Sequence, residues 1–260
     1  MFYKSKYFEA KKEGSCLVLT IVSAENPLNN LSDDFSDRFE ECILNAVEEK
    51  DIKAIILTAN GPVFSAGAFL PELMEQDEAG ANRLAQKGAN IWGLMESIPL
   101  ITLAAVNGLC FGGGLELSLC CDFRIASTRA KFGQTEVNLG LIPGWGGGQR
   151  LVNLLGRTKA LDLVLSGRQF RADEALDIGL VQKVSKPKEL LEDAKAFLDP
   201  YVVKNRKTIA LAKKSVGLQL EASQADALEK EPSLFAESWS LENTKKTIND
   251  FVKKNPPKKQ

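Results

Sequence analysis

The 260-residue sequence contains no histidine. That absence excludes the Ser-His and Cys-His pairs in which an imidazole activates a nucleophile, and it removes a common ligand of metal ions. Carboxylates are then the main candidates for accepting and donating protons. We therefore expect any acid/base chemistry to depend on Asp or Glu side chains, and we expect no metal site.

The sequence also lacks an excess of charge of either sign. Lys and Arg number 33 and Asp and Glu number 34, which gives a net charge of -1 and a pI near 5.8. This balance argues against a nucleic-acid or anionic-membrane partner. The phosphate-binding patterns GxxxxGK[ST] and GxGxxG are absent as well, so the chain shows no sign of a nucleotide-binding loop.

Long apolar runs and a cysteine framework are also missing. No stretch approaches the ~18 consecutive apolar residues of a membrane span, and residues 1–14 lack the apolar segment of a secretion signal. The cysteines show neither metal-ligand nor disulfide spacing, so we expect reduced and mostly buried thiols. These features predict a soluble, cytoplasmic protein.

The sequence does contain an alternation of short apolar runs and helical patterns. The runs at 17–22, 54–58 and 100–106 predict strands, whereas apolar residues recur at helical spacing in 35–47 and 79–96. Ser32 can cap the first of these two helices. Such alternation is typical of an α/β fold with mostly parallel strands.

Only helical patterns remain from about residue 187 onward. Pro200 and Pro232 separate the predicted helices of this part. We place a boundary near residue 190, which divides the chain into a core of residues 1–190 and a helical region of residues 191–260.

Two segments of small residues can present backbone N–H groups to a ligand. Residues 64–68 (FSAGA) follow a predicted strand, and residues 112–114 lead into a predicted helix over 114–121, whose N-terminus favours negative charge. The alternative interpretations are a tight turn for the first segment and close packing of helix on strand for the second.

Two glutamates accompany these segments. Glu116 lies inside an otherwise apolar helical pattern, so it is either buried at a cost or faces a cleft. Glu136 lies in a glycine-containing stretch too irregular for a regular helix, where a surface carboxylate is the alternative. Because the chain has no imidazole, this pair is the best candidate for acid/base chemistry.

Four segments in this order, at 64–68, 104–127, 131–151 and 170–184, resemble the enoyl-CoA hydratase/isomerase family, the crotonase superfamily. The resemblance covers nearly the whole chain. It implies a crotonase-like spiral of ββα repeats, followed by a C-terminal helical region through which the family forms homotrimers, often paired into hexamers.

The resemblance also implies roles for particular residues. The N–H groups of Ala68 and Gly113 would form an oxyanion hole around a thioester carbonyl, and Gly144 would lie at the water site. Glu116 would deprotonate the water that adds to a 2-enoyl-CoA, and Glu136 would exchange the proton at Cα. The substrate is then an acyl-CoA, with no cofactor besides it.

The sequence departs from the family at several places. Phe69 stands where most relatives carry an aspartate, and with Ala66, Leu70 and Trp145 it is a candidate for the acyl pocket. Trp145 is larger than the residue often found there, so it either narrows that pocket or only packs. Residues 24–30 (AENPLNN) lack the basic residues common in CoA-binding members, which leaves an acyl carrier protein as an alternative donor.

Two further functions stay open from the sequence. An oxyanion hole with one active carboxylate would serve an enoyl-thioester isomerase or decarboxylase of the same superfamily. A catalytically silent oligomeric scaffold is the alternative from another class, although both glutamates are present.

Overall fold

The computed structural model describes residues 1–22 and 26–254. Part of the 24–30 segment and the end of the 191–260 region therefore lie outside the described residues. The chain divides into two compact units, Met1–Val202 and Val203–Gln260. The boundary near residue 190 stays a prediction; the helix that begins at Leu190 packs on strands of the first unit.

The first unit contains short strands and helices in alternation. Its strands are β1 (Tyr3–Lys4), β2 (Phe8–Glu13), β3 (Cys16–Ile21), β4 (Ala54–Ala59), β5 (Val63–Ser65), β6 (Ile101–Val106), β7 (Leu109–Phe111), β8 (Phe123–Ser127), β9 (Lys131–Gly133), β10 (Phe170–Arg171) and β11 (Lys183–Ser185). Its helices are α1 (Asp33–Glu48), α2 (Leu70–Met74), α3 (Glu78–Ser97), α4 (Gly113–Leu119), α5 (Gly147–Leu155), α6 (Arg157–Ser166), α7 (Ala172–Asp177) and α8 (Leu190–Val202), with a 3₁₀ turn at Glu136–Leu139.

The strands form two sheets. The larger has the order β1-β2-β3-β4-β6-β8-β11 and is parallel from β3 onward, and the smaller has the order β10-β9-β7-β5. Along the chain, β4, β6 and β8 each enter the larger sheet, and the next strand, β5, β7 or β9, enters the smaller one. This alternation confirms the predicted α/β fold with a spiral of ββα repeats.

The register of the smaller sheet brings three distant segments together. Ser65 pairs with Cys110, and Phe111 pairs with Gly133, in parallel ladders. Because parallel strands end at the same edge of a sheet, the chain after β5, after β7 and after β9 emerges at one place. The residues just beyond these three strands are the predicted site segments.

Large aromatic side chains fill the core between helices and the larger sheet. Phe8, Phe35, Phe39 and Trp92 are fully buried, and Phe39 meets Trp92 edge-on with ring centroids 5.5 Å apart. Burial of each such side chain contributes roughly 1.5–3 kcal/mol. All cysteines are free and buried, as the sequence predicts.

Capping residues define the first helices of each unit. Ser32 caps α1 by accepting a hydrogen bond from the Phe35 N–H at 3.1 Å, so the predicted start of this helix is confirmed. In the second unit, Asn205 and Ser223 cap the helices α9 (Arg206–Glu221) and α10 (Gln224–Trp239) in the same way. The described part of this unit ends with α11 (Thr244–Lys254).

The prediction that two prolines separate the C-terminal helices is wrong. Pro200 lies inside α8 and Pro232 lies inside α10. The helices begin instead at the side-chain caps, which supply acceptors for otherwise unpaired N–H groups. Proline removes one backbone donor, and here that loss does not end either helix.

Among residues 1–22 and 26–254, no helix has both the length and the apolar character that crossing a membrane requires.

Candidate active site

A cavity of about 870 Å³ opens at the edge of the smaller sheet, within the first unit. Segments from α1, α2, α3 and α4 border it, together with the loop that precedes α5. Every site residue predicted from the sequence lines this cavity: Ala66, Ala68, Phe69, Leu70, Gly113, Glu116, Glu136, Gly144 and Trp145. The fold therefore gathers the predicted residues around one space.

Two backbone N–H groups meet at one wall of the cavity. A Cβ built on Gly113 would lie 3.3 Å from the Ala68 nitrogen, so the two amides are close neighbours. The N–H groups of Ala66, Gly67 and Phe69 each donate to a protein oxygen. Within the described part of the chain, the N–H groups of Ala68 and Gly113 have no such acceptor. They remain available for a ligand oxygen.

Glycine at two positions makes this approach possible. Gly67 has φ +99°, and a Cβ there would lie 3.0 Å from both the Gly113 nitrogen and the Phe111 oxygen. Gly112 has φ +51° and precedes α4. Only glycine adopts such backbone angles without strain while leaving room for a second chain segment.

The loop before α1 holds the Ala68 segment in place. Asn29 donates through its Nδ2 to the Val63 oxygen at 2.8 Å, and Leu31 exchanges backbone hydrogen bonds with Gly67 and Phe69. The described residues of the 24–30 segment thus support the loop that presents the Ala68 amide.

Glu116 is buried in α4 and fixed by the N-terminal end of α5. Its side chain is at the cavity wall but the residue is only 2% exposed. Its Oε1 accepts the N–H groups of Trp145 and Gly147, each at 2.8 Å. Both interpretations of this glutamate from the sequence are therefore correct, because it is buried and also borders a cleft.

Glu136 begins the 3₁₀ turn after β9 and is half-buried. Its Oε1 accepts from Gln134 Nε2 at 2.8 Å. Its Oε2 is buried and, among the described residues, has no hydrogen-bond partner. The alternative interpretation from the sequence, a carboxylate exposed on the surface, therefore does not apply to Glu136. A buried carboxylate oxygen without a protein donor usually accepts a hydrogen bond from a ligand or a water molecule.

Burial perturbs the pKa values of both carboxyl groups. Burial and then the nearby negative charge of Glu136 raise the pKa of Glu116 from 4.5 to about 7, against the opposing effect of the two backbone donors. Burial also raises the pKa of Glu136, against its own backbone N–H and Gln134. Because the charge of Glu136 raises the pKa of Glu116, the titration of Glu116 depends on the protonation state of Glu136.

Apolar residues and Gly144 complete the cavity wall. Phe69 and Leu70, at the start of α2, line the cavity and are 36% and 41% exposed. Gly144 approaches α3, where a Cβ on it would lie 3.7 Å from the Ala85 side chain. The Trp145 indole packs between α3 and Gly113. Trp145 therefore both lines the cavity and packs, whereas the sequence left these as alternatives.

Three residues that support the carboxylates received no role from the sequence. Gln134 orients Glu136, and Gly147 donates to Glu116. Arg150 donates to the Trp145 oxygen at 2.5 Å and pairs with both carboxylate oxygens of Glu96, at 2.8 and 2.6 Å. A glutamine two positions before Glu136 was the signal that the sequence offered.

The residues of the cavity do not form a metal site. No group of three or more His, Cys, Asp or Glu side chains in the described ranges is arranged to hold a metal ion. The polar groups of the cavity include the carboxyls of Glu116 and Glu136 and the two free amides, and free amides of this kind suit a ligand that develops negative charge on an oxygen.

Known proteins match this chain in sequence over most of its length. The family model described as enoyl-CoA hydratase/isomerase matches residues 12–260. The chain is 36% identical over 245 residues to the "Short-chain-enoyl-CoA hydratase" of Clostridium acetobutylicum, covering 94% of each chain. It is 32% identical over 255 residues to the "Crotonyl-CoA hydratase" of Syntrophomonas wolfei, covering 98% of this chain and 97% of the relative.

A solved structure gives the same result. The crystal structure of enoyl-CoA hydratase from Bacillus anthracis superimposes with a TM-score of 0.88 at 29% identity, covering 97% of this chain and 98% of that one. The matches in sequence and in fold span almost the full length of this chain and of each protein compared with it. The chain belongs to the enoyl-CoA hydratase/isomerase family.

Proposed function

We propose that this protein is an enoyl-CoA hydratase that adds water reversibly across the double bond of a 2-enoyl-CoA thioester. The observation that carries the proposal is the placement of two carboxyl groups, Glu116 and Glu136, beside two unpaired amides on one cavity. Hydration needs a group that takes a proton from water, a group that gives one to carbon, and donors for the charge in between.

In the proposed mechanism, the thioester oxygen accepts the N–H groups of Ala68 and Gly113. Attack of water at Cβ moves the electrons of the double bond onto this oxygen, which then carries enolate charge. Two fixed donors stabilise that charge without having to reorient. Gly113 is also the first residue of α4, so the helix N-terminus contributes in the same direction.

Glu116 would be the base for the attacking water. Two backbone donors hold its Oε1 as an acceptor, so its Oε2 is the oxygen that takes the proton. The amide of Gly144 would help to place the water. The raised pKa of Glu116, about 7, makes it a stronger base than an ordinary carboxylate.

Glu136 would deliver the proton to Cα when the enolate collapses to the thioester. Its unpartnered Oε2 is the oxygen suited to this step. Glu136 would thus give one proton to Cα while Glu116 takes one from water, and a proton would return to Glu136 between turnovers. Run backwards, the same steps dehydrate a 3-hydroxyacyl-CoA.

The test is hydration of enoyl thioesters in isotopically labelled water. The proposal predicts that a 2-enoyl-CoA gains solvent oxygen at Cβ. Parallel assays with 3-enoyl and malonyl-type thioesters address the isomerase and decarboxylase alternatives, neither of which incorporates solvent oxygen. Turnover of those substrates without hydration would overturn the hydratase proposal, and no turnover of any thioester would favour the silent scaffold.

The substrate and partners follow from the same proposal. The acyl group would arrive on CoA, with no further cofactor, and a carrier-protein donor is tested by comparing kcat/KM for the two forms of one acyl group. The exposed apolar side chains of the second unit, among them Leu228 and Phe235, support a homotrimer or hexamer. A cytoplasmic location, with no nucleic-acid or membrane partner, stays a prediction.

A further inference from the structure

The indole of Trp145 is fixed at the inner wall of the cavity. Its Nε1 donates to the Leu84 oxygen of α3 at 3.3 Å. Its ring meets the fully buried Trp92 edge-on, with ring centroids 5.7 Å apart. A hydrogen bond at one edge and an aromatic contact at another leave this side chain little freedom.

The chain carries glycine at both places where the indole touches a helix. A Cβ on Gly88 in α3 would lie 2.3 Å from Trp145 Nε1, and a Cβ on Gly113 in α4 would lie 2.4 Å from Trp145 Cζ3. Neither glycine has a positive φ, so backbone conformation does not require glycine at these positions. The indole occupies the volume that two side chains would otherwise fill.

This position places the ring beside the reacting atoms of the proposed mechanism. The ring touches Gly113, whose N–H would hold the thioester oxygen, and the backbone of the same Trp145 donates to Glu116. Glu116 would activate the water that attacks Cβ. Because the acyl chain continues from Cβ, the indole is among the cavity residues that its next carbons would meet.

Phe69 and Leu70, two other large apolar residues of the site, are less suited to limit the acyl chain. The two residues line the cavity but are 36% and 41% exposed. Side chains exposed to that degree can move aside at little cost, whereas the clamped indole cannot. Trp145 is therefore a fixed part of the cavity wall, held by contacts with α3 and α4.

We propose that the Trp145 indole, clamped between Gly88 and Gly113, closes the acyl site just beyond Cβ and restricts the enzyme to short 2-enoyl thioesters. The inference rests on the proposed hydratase function. It adds the residue that sets the chain-length limit and the glycine of α3 that holds this residue in place.

The first experiment compares kcat/KM for crotonyl-CoA and for 2-decenoyl-CoA in the full-length wild type and in Trp145→Ala. We expect the decenoyl-to-crotonyl ratio to rise at least about tenfold, since a difference of one methylene in an apolar pocket already changes discrimination by roughly 10–200-fold. Trp145→Phe, which keeps a ring, should change the ratio in the same direction by less. It also preserves the test if the alanine variant does not fold.

The second experiment moves the ring without removing it. Gly88→Ala places a methyl group against the indole, so we expect lower kcat/KM for crotonyl-CoA. In the double variant Gly88→Ala/Trp145→Ala, the alanine at position 88 should cause no further loss relative to Trp145→Ala. Gly93→Ala is the matched control in the same helix, because nothing lies within 4 Å of a Cβ there, and we expect it to match the wild type.

The outcomes separate this inference from the proposed function. A wild type that hydrates crotonyl-CoA, together with Trp145 variants whose ratio stays unchanged, would overturn the inference and leave the hydratase standing. No hydration of any thioester by the wild type would overturn both. An equal loss of activity on both substrates, with the ratio constant, would mean that Trp145 only packs.

Discussion

Glu116 and Glu136 border the same cavity, but the chain holds them in different ways. Glu116 is fixed by two backbone donors at 2.8 Å and sits deep in the wall. Glu136 has one side-chain donor, Gln134, and an Oε2 without a partner in the described part of the chain. One carboxyl is thus immobilised by the backbone, and the other keeps a free oxygen.

This difference suits two different tasks. A base that must hold a water molecule in line with Cβ benefits from a rigid position, because small misplacements cost much of the rate. A group that exchanges a proton with Cα needs an oxygen that no protein donor occupies. The two environments push the two carboxyls toward different roles even though burial raises the pKa of both.

The largest expected effect comes from removing either ionisable group. Glu116→Gln and Glu136→Gln should each lower kcat for hydration by about 10²–10⁴-fold, the usual contribution of a general acid or base. Steady-state assays with crotonyl-CoA measure this, and circular dichroism confirms the fold. If one variant hydrated at close to the wild-type rate, the division of labour between the two carboxyls would be wrong.

The next effect tests the rigidity of Glu116. A Cβ on Gly147 would lie 2.8 Å from Glu116 Cγ, so Gly147→Ala should displace this carboxyl and lower kcat by about tenfold or more. Gly148→Ala is the matched control, since nothing lies within 4 Å of its Cβ. Equal activity of the two variants would show that the position of Glu116 is not critical.

A third effect appears in stability as a function of pH. The folded state raises the pKa of Glu116 from 4.5 to about 7, so it binds more protons than the unfolded state in that window and loses stability as the pH rises through it. The loss amounts to about 3 kcal/mol for a rise of this size. The Glu116→Gln variant does not undergo this loss of stability, because its side chain does not ionise. Its amide oxygen can still accept hydrogen bonds from both backbone donors.

Denaturant unfolding of the wild type and Glu116→Gln at several pH values measures this effect. The free energy of unfolding of the variant, relative to that of the wild type, should increase as the pH rises from 4.5 to about 7. Above that range the difference between the two proteins should stay constant. A gap independent of pH would mean that the carboxyl titrates normally in the folded protein.

The smallest effect concerns the support of Glu136. Gln134 donates to the ionised carboxyl and lowers its pKa, so Gln134→Leu should raise the pKa of Glu136 and move the corresponding limb of the pH–rate profile upward. Gln134→Glu removes the donor and adds a like charge, and it should move the limb in the same direction. A pH–rate profile that does not shift would show that Gln134 does not affect the pKa of Glu136.

Local features of the sequence predict individual helices and strands, but they do not predict which distant segments lie side by side. Ser32 and the spacing of Phe35 and Phe39 predict α1 because cap and periodicity act within one helix. The pairing of Ser65 with Cys110 and of Phe111 with Gly133 joins distant segments, which no local pattern reveals. The family resemblance, rather than periodicity, was what assigned Ala68 and Gly113 to a common site.

The hydrogen bonds that hold Glu116 could not be predicted from the sequence, for the same reason. The N–H groups that fix Glu116 belong to Trp145 and Gly147, and the sequence does not indicate which amides of a glycine-containing loop face a given side chain. Pro200 and Pro232 do not separate helices, because side-chain caps and not prolines determine where the helices of this region begin. The predicted family and fold are confirmed, and the roles of the site residues stay predictions.

Exchange of the Cα protons of butyryl-CoA with heavy water, followed by NMR, tests the central claim most directly. This saturated thioester cannot be hydrated, so exchange reports only proton transfer at Cα beside the two amides. The two roles predict exchange in the wild type and in Glu116→Gln, and none in Glu136→Gln. Retained exchange in Glu136→Gln, or its loss in Glu116→Gln alone, would contradict the assignment of the two carboxyls.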